Sequence, residues 1–342
     1  MSPESDCNFP GPRRIVTRAR QMPSPRPAQR EAFAQTAADA RPVVAKALRW
    51  LNSQLHHFNP FVCPDGASQA RQTALAELAL LGFELQQQEN LNAELRIFLQ
   101  RIQQVLHAAY QRPELHRFIY TGPPQAFTGH LLMWLALPRQ LAETILPLAE
   151  LQKVFETRSV AHAPRPKVRL LELRYFADYA GLAHELPTPR ELLLRAVDFH
   201  RLDPHTLTFA GIYELTHAIF YATHFGRHPD AVMEYAERKH LATILEPLQQ
   251  RLIQQQHWDL VAEIILSRRC LQLPAEWQAT KPAWEALANT QDEDGTYGAQ
   301  VVEQALMREG LTADAAADYA FLRCYHSCLV TAMAGLFPQP LL

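Results

Sequence analysis

The chain reads as an all-α protein, and three observations carry that reading. Only 12 glycines occur among 342 residues, while Ala, Leu, Gln and Glu are plentiful; this composition favours helix over sheet. From about residue 42 onward, apolar residues recur at helical spacing and prolines mark the interruptions. No segment shows the sustained alternation of a half-buried strand.

The first helix runs from about Pro42 to His57, with Val44, Leu48 and Leu51 on one face, and Asn59-Pro60 ends it. A second follows Asp65-Gly66 and continues through Ala74, Leu78 and Leu81 to about Gln88. Asn92 caps a third, which carries Leu95, Phe98, Ile102, Leu106 and Tyr110. The fourth follows Gly122-Pro123-Pro124 and stops before Pro138, the fifth spans about Leu141 to Glu156, and the sixth about Lys167 to Gly181. Thr188-Pro189 opens the seventh as an N-cap followed by a proline at the first helical position. The eighth runs from about His205 to Phe225, where Gly226 stops it. Pro229 opens a ninth that should kink or break at Pro247. The tenth spans about His257 to Leu271, the eleventh ends near Thr290, and the twelfth runs from about Asp314 to Leu336.

These form about six consecutive hairpins of about 45 to 55 residues each, which stack as an open superhelix or close into a ring. Their period is uneven, unlike that of an open array. The even-numbered helices are apolar on most sides, as expected of helices packed all round. The expected fold is therefore an (α/α)6 toroid, one domain over residues 31–342. Residues 1–30 read as a disordered, solvated leader, because segments such as Gly11-Pro12-Arg13-Arg14 and Pro23-Ser24-Pro25-Arg26-Pro27 lack an apolar pattern.

Hydrophobic residues make up 48% of the chain, and the formal net charge is −2 with 15 histidines. Nothing here calls for nucleic acid as a partner. Five irregularly spaced cysteines with no CxxC pair fit a reducing cytoplasm. No apolar run reaches the roughly 18 residues of a membrane span. Rossmann, P-loop, nucleophile-elbow and HExxH motifs are all missing.

The richest helix is the eighth. Tyr213, His217, Phe220 and His224 share a face at steps of three, four and seven, with Tyr221 and Glu214 beside them. Such a stripe either fills the toroid or lines a pocket. As a pocket wall, Tyr213, Phe220 and Tyr221 would hold substrate, and His224 or Glu214 would handle a proton. His217 and His224 are two turns apart, too far for one metal to take both readily. Glu172, Tyr175 and Tyr179 on the sixth helix are further candidates for the same cavity. His130, His217 and His326 fall in the fourth, eighth and twelfth helices, so a three-histidine centre is also geometrically open, with His130 otherwise a substrate contact.

Two stretches near the C-terminus carry a family resemblance. Gln291-x-x-x-Gly295-x-Tyr297 is similar to the Gln-Trp repeat of terpenoid cyclases, with Tyr297 in place of tryptophan. Asp294-Gly295-Thr296-Tyr297, followed by Tyr325-His326-Ser327-Cys328-Leu329 and Ala334-Gly335-Leu336, resembles the zinc-binding end of protein prenyltransferase β-subunits. The resemblance implies the toroid and a zinc site in which Asp294 and His326 match the family's aspartate and histidine. Thr296 stands where that family has a cysteine, so thiolate activation by the family route is in doubt. No separated DxDD run of the alkene-protonating kind is present. The plainer alternatives are a helix-ending turn at Asp294-Gly295 and a core role for His326. Cys324 and Cys328 lie four apart on one face, away from His326; Cys63 and Cys270 read as packing residues. The His217 helix also resembles one in an uncharacterised bacterial family of helical proteins.

The expectation is a metal-dependent enzyme acting on a small, partly apolar substrate, in the manner of specialised-metabolite biosynthesis. Asp294, His326 and His217 would hold zinc or another divalent ion, and Tyr297 and His130 would join the pocket wall. The alternative is a metal-free helical scaffold that binds a peptide or protein partner.

Overall fold

The computed structural model describes residues 27–61, 69–199, 201–274, 276–298, 303, 307 and 313–338. Its helices are Pro27–Ser53 (α1), Gln69–Gln86 (α2), Ala93–Tyr110 (α3), Pro113–Thr121 (α4), Phe127–Ala136 (α5), Arg139–Ile145 (α6), Leu148–Thr157 (α7) and Lys167–Ala180 (α8). They continue as Pro189–Ala196 (α9), Phe209–Ala222 (α10), Pro229–Val232 (α11), Tyr235–Gln254 (α12), Trp258–Cys270 (α13), Glu276–Ala279 (α14), Lys281–Thr290 (α15) and Ala313–Leu336 (α16). Among the described residues the β contribution is one isolated bridge, Gln291 to Tyr297. The all-α reading is correct.

Local chemistry sets several boundaries as expected. The Asn92 side chain accepts from Leu95 N at the start of α3. Thr188 and Glu191 form a capping box at α9, with Pro189 in the first turn. Other boundaries differ. Residues 27–30, assigned to the leader, form the first turn of α1; the rest of that leader, like Cys63, lies outside the described residues. Pro27 occupies the first helical position, where its missing N–H costs nothing, and the helix formers of Gln29–Gln35 carry the turn onward. The single helix expected over 141–156 breaks at Leu146, whose extended backbone (φ −145°, ψ 107°) suits a residue before proline. Helix α12 runs through Pro247 without interruption.

The packing order is what positions the site. Helix α2 packs on α5, α5 on α8, α8 on α10, α10 on α13, α13 on α16, and α16 back on α2. The remaining long helices lie against this circuit: α1 on α16 and α15, α3 on α2, α9 on α8 and α10, and α12 on α13. Helix α13 is the most enclosed member, with every residue from Leu260 to Cys270 buried. Gly335 lets α16 meet α1, because a Cβ there would run into the Val44 side chain. The last helix thus returns to the first two.

The Gln291–Tyr297 turn clasps α15 to this assembly. Gln291 Nε2 donates to Val43 O and Gly295 O, both at 3.1 Å. Gly295 adopts φ +101° against the Lys46 backbone, where a side chain would clash. Tyr297 is buried, stacks on Trp258 and accepts from Thr331 Oγ1 at 3.2 Å.

Candidate functional site

Side chains from α2, α5, α8, α10 and α16 converge on two adjoining cavities, with α13 behind them. The more polar, about 470 Å³, is bordered by Glu77 of α2, Arg169 and Glu172 of α8, Tyr213, Glu214, His217 and Tyr221 of α10, and His326 of α16. The more apolar, about 530 Å³, is lined by Leu75, Leu80, Leu115, Phe118 and Met133, with Gly129 and His130 of α5. Glu77, Arg169, Glu172, His217 and Tyr221 border both.

His326 is the centre of the polar end. Its Nδ1 lies 2.8 Å from Glu77 Oε2, and its Nε2 lies 3.7 Å from Glu263 Oε1. Glu263 is only 1% exposed. It is tied down by Thr216 Oγ1, which donates to its Oε2 at 2.5 Å. Burial alone would depress the His326 pKa, but the carboxylates of Glu77 and Glu263 outweigh it and hold the value well above the ordinary 6.5. The two carboxylates therefore favour the imidazolium form of the ring. Nδ1 is spent on Glu77, whereas 3.7 Å is too long for a hydrogen bond at Nε2.

His217 shares the same acid, with Nδ1 3.9 Å from Glu263 Oε2. The same nitrogen donates to Tyr213 O at 2.8 Å. A carbonyl only accepts, so Nδ1 bears a proton, and Nε2 is left without a protein partner among the described residues. Around this pair the cavity wall is fixed by further bonds. Tyr221 OH donates to Glu172 Oε1 at 3.1 Å, and Arg169 Nη1 donates to Glu172 Oε2 at 2.9 Å. Tyr213 OH donates to Asp259, which is also 2.6 Å from His257 Nδ1. Burial and these carboxylates raise both phenol pKa values far above their usual range.

The structure gathers His217, His326, Tyr213, Glu214, Tyr221 and His130 at the cavities. It places the other nominated residues elsewhere. Helix α10 ends at Ala222, and His224 follows with φ +53°. That turn swings its ring away from the Tyr213–His217 face, to Tyr179 OH at 3.4 Å. Burial first, then His228 and Arg227, push its pKa down to about 4. Phe220 is buried and stacks on Phe225. Tyr297 belongs to the clasp described above.

Asp294 is spent inside its own turn. Its Oδ1 accepts from Thr296 N at 2.9 Å and Thr296 Oγ1 at 2.7 Å. The turn faces the cysteine side of α16, where Cys328 Sγ donates to Gly295 O at 3.4 Å. His326 projects from a different side of that helix, and its ion pairs are with Glu77 and Glu263. The donor set does not fit zinc: the thiolate position is a threonine, the aspartate is occupied, and one imidazole nitrogen already has an acid partner. Among the described residues no three His, Cys, Asp or Glu side chains converge as a metal-ligand group.

Glu77, Glu263 and Arg169 were missed from the sequence. Glu263 had a signal, since it interrupts the apolar run Leu260-Val261-Ala262 and Ile264-Ile265-Leu266, and a charge in a helix buried all round needs a partner. Glu77 is one of several polar residues along α2 and gives no comparable signal.

Among the described residues no helix is long and apolar enough to cross a membrane. No curated protein and no solved structure matches the chain. A family model does match, over residues 44–336, a span that contains every cavity wall described above. Its description is "Domain of unknown function (DUF6895)", and the chain belongs to that family.

Proposed function

We propose that the protein is an enzyme performing general acid–base chemistry on a small, partly apolar organic substrate, held within an (α/α)6 toroid whose inner barrel is the circuit α2–α5–α8–α10–α13–α16. The observation that supports this reading is the pairing of two imidazoles around one buried carboxylate at a cavity. His326 lies between the carboxylates of Glu77 and Glu263, which favour its protonated form, while His217, its Nδ1 bonded to Tyr213 O, offers a free Nε2. Groups whose environments separate their protonation states are natural acid and base partners.

His326 delivers its Nε2 proton to a developing anion or leaving group, and His217 Nε2 withdraws a proton from substrate or from a bound water. Glu77 orients the His326 ring through Nδ1. The charge of Glu263 steadies whichever ring is cationic during the cycle. The arrangement suits reactions that take one proton and give another at a neighbouring atom, hydrolysis and elimination among them. No step passes through a metal, because the donor set around Asp294 does not fit one.

The test is untargeted. Full-length protein is incubated with a small-molecule cell extract, and consumption is followed by mass spectrometry beside His326→Gln and His217→Gln. At least one compound should be consumed by the wild type and spared by both variants. An extract left unchanged by the wild type, or consumed equally by all three proteins, would contradict the reading.

A further inference from the structure

The polar cavity carries more negative charge than its own cations neutralise. Arg169 is committed to Glu172 at 2.9 Å, and His326 is shared between Glu77 and Glu263. Glu214, on the same wall, has no ion-pair partner among the described residues. Tyr213 and Tyr221 direct their hydroxyls to Asp259 and Glu172. What those residues can still present to a ligand is ring face, which attracts cations.

The adjoining compartment has a different character and its own marks of an occupant. Gly129 lies within α5, where glycine costs about 1 kcal/mol relative to alanine. A Cβ built there meets nothing within 4 Å, so the missing side chain leaves space that the apolar cavity uses. His130, next to it, is only 3% exposed, lines the same cavity and has no hydrogen-bond partner among the described residues. Its ring is neutral at pH 7, because burial and then His116 push its pKa down to about 4. A cavity-lining imidazole without a protein partner is open to a ligand or a water.

We infer that the substrate is an amphiphilic cation: a protonated amine seated among Glu77, Glu172 and Glu214, attached to an apolar body that extends past Gly129 and turns a hydrogen-bonding atom toward His130. This rests on the reading of the cavities as the substrate site, and it adds the charge and polarity of what enters them.

Calorimetric titration of the full-length protein at pH 7.5 with octylamine, octanol and octanoate separates the two claims. Octylamine should bind at least about tenfold more tightly than octanol, a ratio equivalent to about 1.4 kcal/mol, and octanoate should be weakest. Glu214→Gln should weaken octylamine about threefold and leave octanol unchanged, as expected for loss of one solvent-screened charge beside the ammonium. Gly129→Leu, which fills open space and improves helix propensity, should abolish binding of all three while the protein melts no lower than wild type. Octanol or octanoate binding as tightly as octylamine, with Gly129→Leu still blocking it, would overturn the cationic substrate and leave the cavity reading standing. Octylamine binding that survives Gly129→Leu, or fails at millimolar concentration, would overturn both.

Discussion

Two clusters of the same residue types sit at different depths along the same helices, and they behave in opposite ways. The first is the cavity cluster, Glu77, His326, Glu263 and His217. The second gathers Glu84, Tyr175, Tyr179, His224 and Arg227 toward the C-terminal ends of α2, α8 and α10. There Arg227 Nη1 lies 2.8 Å from Glu84 Oε2, and Arg227 Nη2 lies 2.7 Å from Tyr175 OH. Tyr175 also donates to Glu84, which is fully buried, and Phe83, Phe176 and Phe225 close around the group. Burial pushes the Glu84 carboxyl up while Arg227 pulls it down. The comparison teaches that composition does not mark a site. What distinguishes the clusters is access: one borders open cavities and holds a histidine whose carboxylate partners favour its cationic form, and the other centres on the fully buried Glu84 and Tyr175 and holds a neutral histidine.

The sharpest way to break the comparison is to remove a partner from the sealed cluster. Arg227→Met leaves Glu84 charged and unpaired in the interior, and stability should fall by about 3–5 kcal/mol. Denaturant midpoints would show it, and a loss below about 1 kcal/mol would mean that Glu84 is not sealed.

Acid should expose the same contrast. His130 and His224 both have pKa values pushed down to about 4 from the ordinary 6.5. Between those values the unfolded chain binds more protons, so stability should fall as pH drops, by up to about 1.4 kcal/mol per pH unit for each histidine. His326 works the other way. Its raised pKa contributes stability that is fully present below 6.5 and is lost only as pH rises through the folded value. Unfolding free energies across pH should therefore show a shallower acid loss in His224→Gln, and no such relief in His326→Gln.

A smaller stability effect belongs to the cavity itself. His326→Gln should cost about 1–2 kcal/mol, as for lost charge-assisted bonds at a partly open position, yet remove all turnover. A loss as large as that of Arg227→Met would recast His326 as a structural group. Smallest of all, Gly129→Ala should raise stability by no more than about 1 kcal/mol. A marked drop, read as a lower melting temperature, would show that the space beside Gly129 is already filled.

The all-α class and several helix boundaries were legible because helical periodicity, Asn92, Thr188-Pro189 and the apolar α13 are local signals, each written in consecutive residues. Half of the site was legible for the same reason: Tyr213, His217 and Tyr221 stand out on one helix. His224 was misplaced because a backbone turn of two residues, not the helical repeat, sets where its ring points. Asp294 was misplaced because its motif matched in order and spacing, while Thr296 supplied a local partner that absorbs the carboxylate. Glu77 and Glu263 meet His326 from two other helices, and that encounter is decided by packing between segments far apart in sequence.

The account turns on the charge of one ring. Histidine side chains labelled with ¹³C and ¹⁵N can be followed by NMR across pH in the intact protein, with His326 and His224 assigned through their glutamine variants. His326 should remain protonated past neutrality, with a midpoint above 6.5, while His224 stays neutral down to about pH 4. A His326 midpoint at or below 6.5 would contradict the claim that Glu77 and Glu263 hold an acid ready at the cavity.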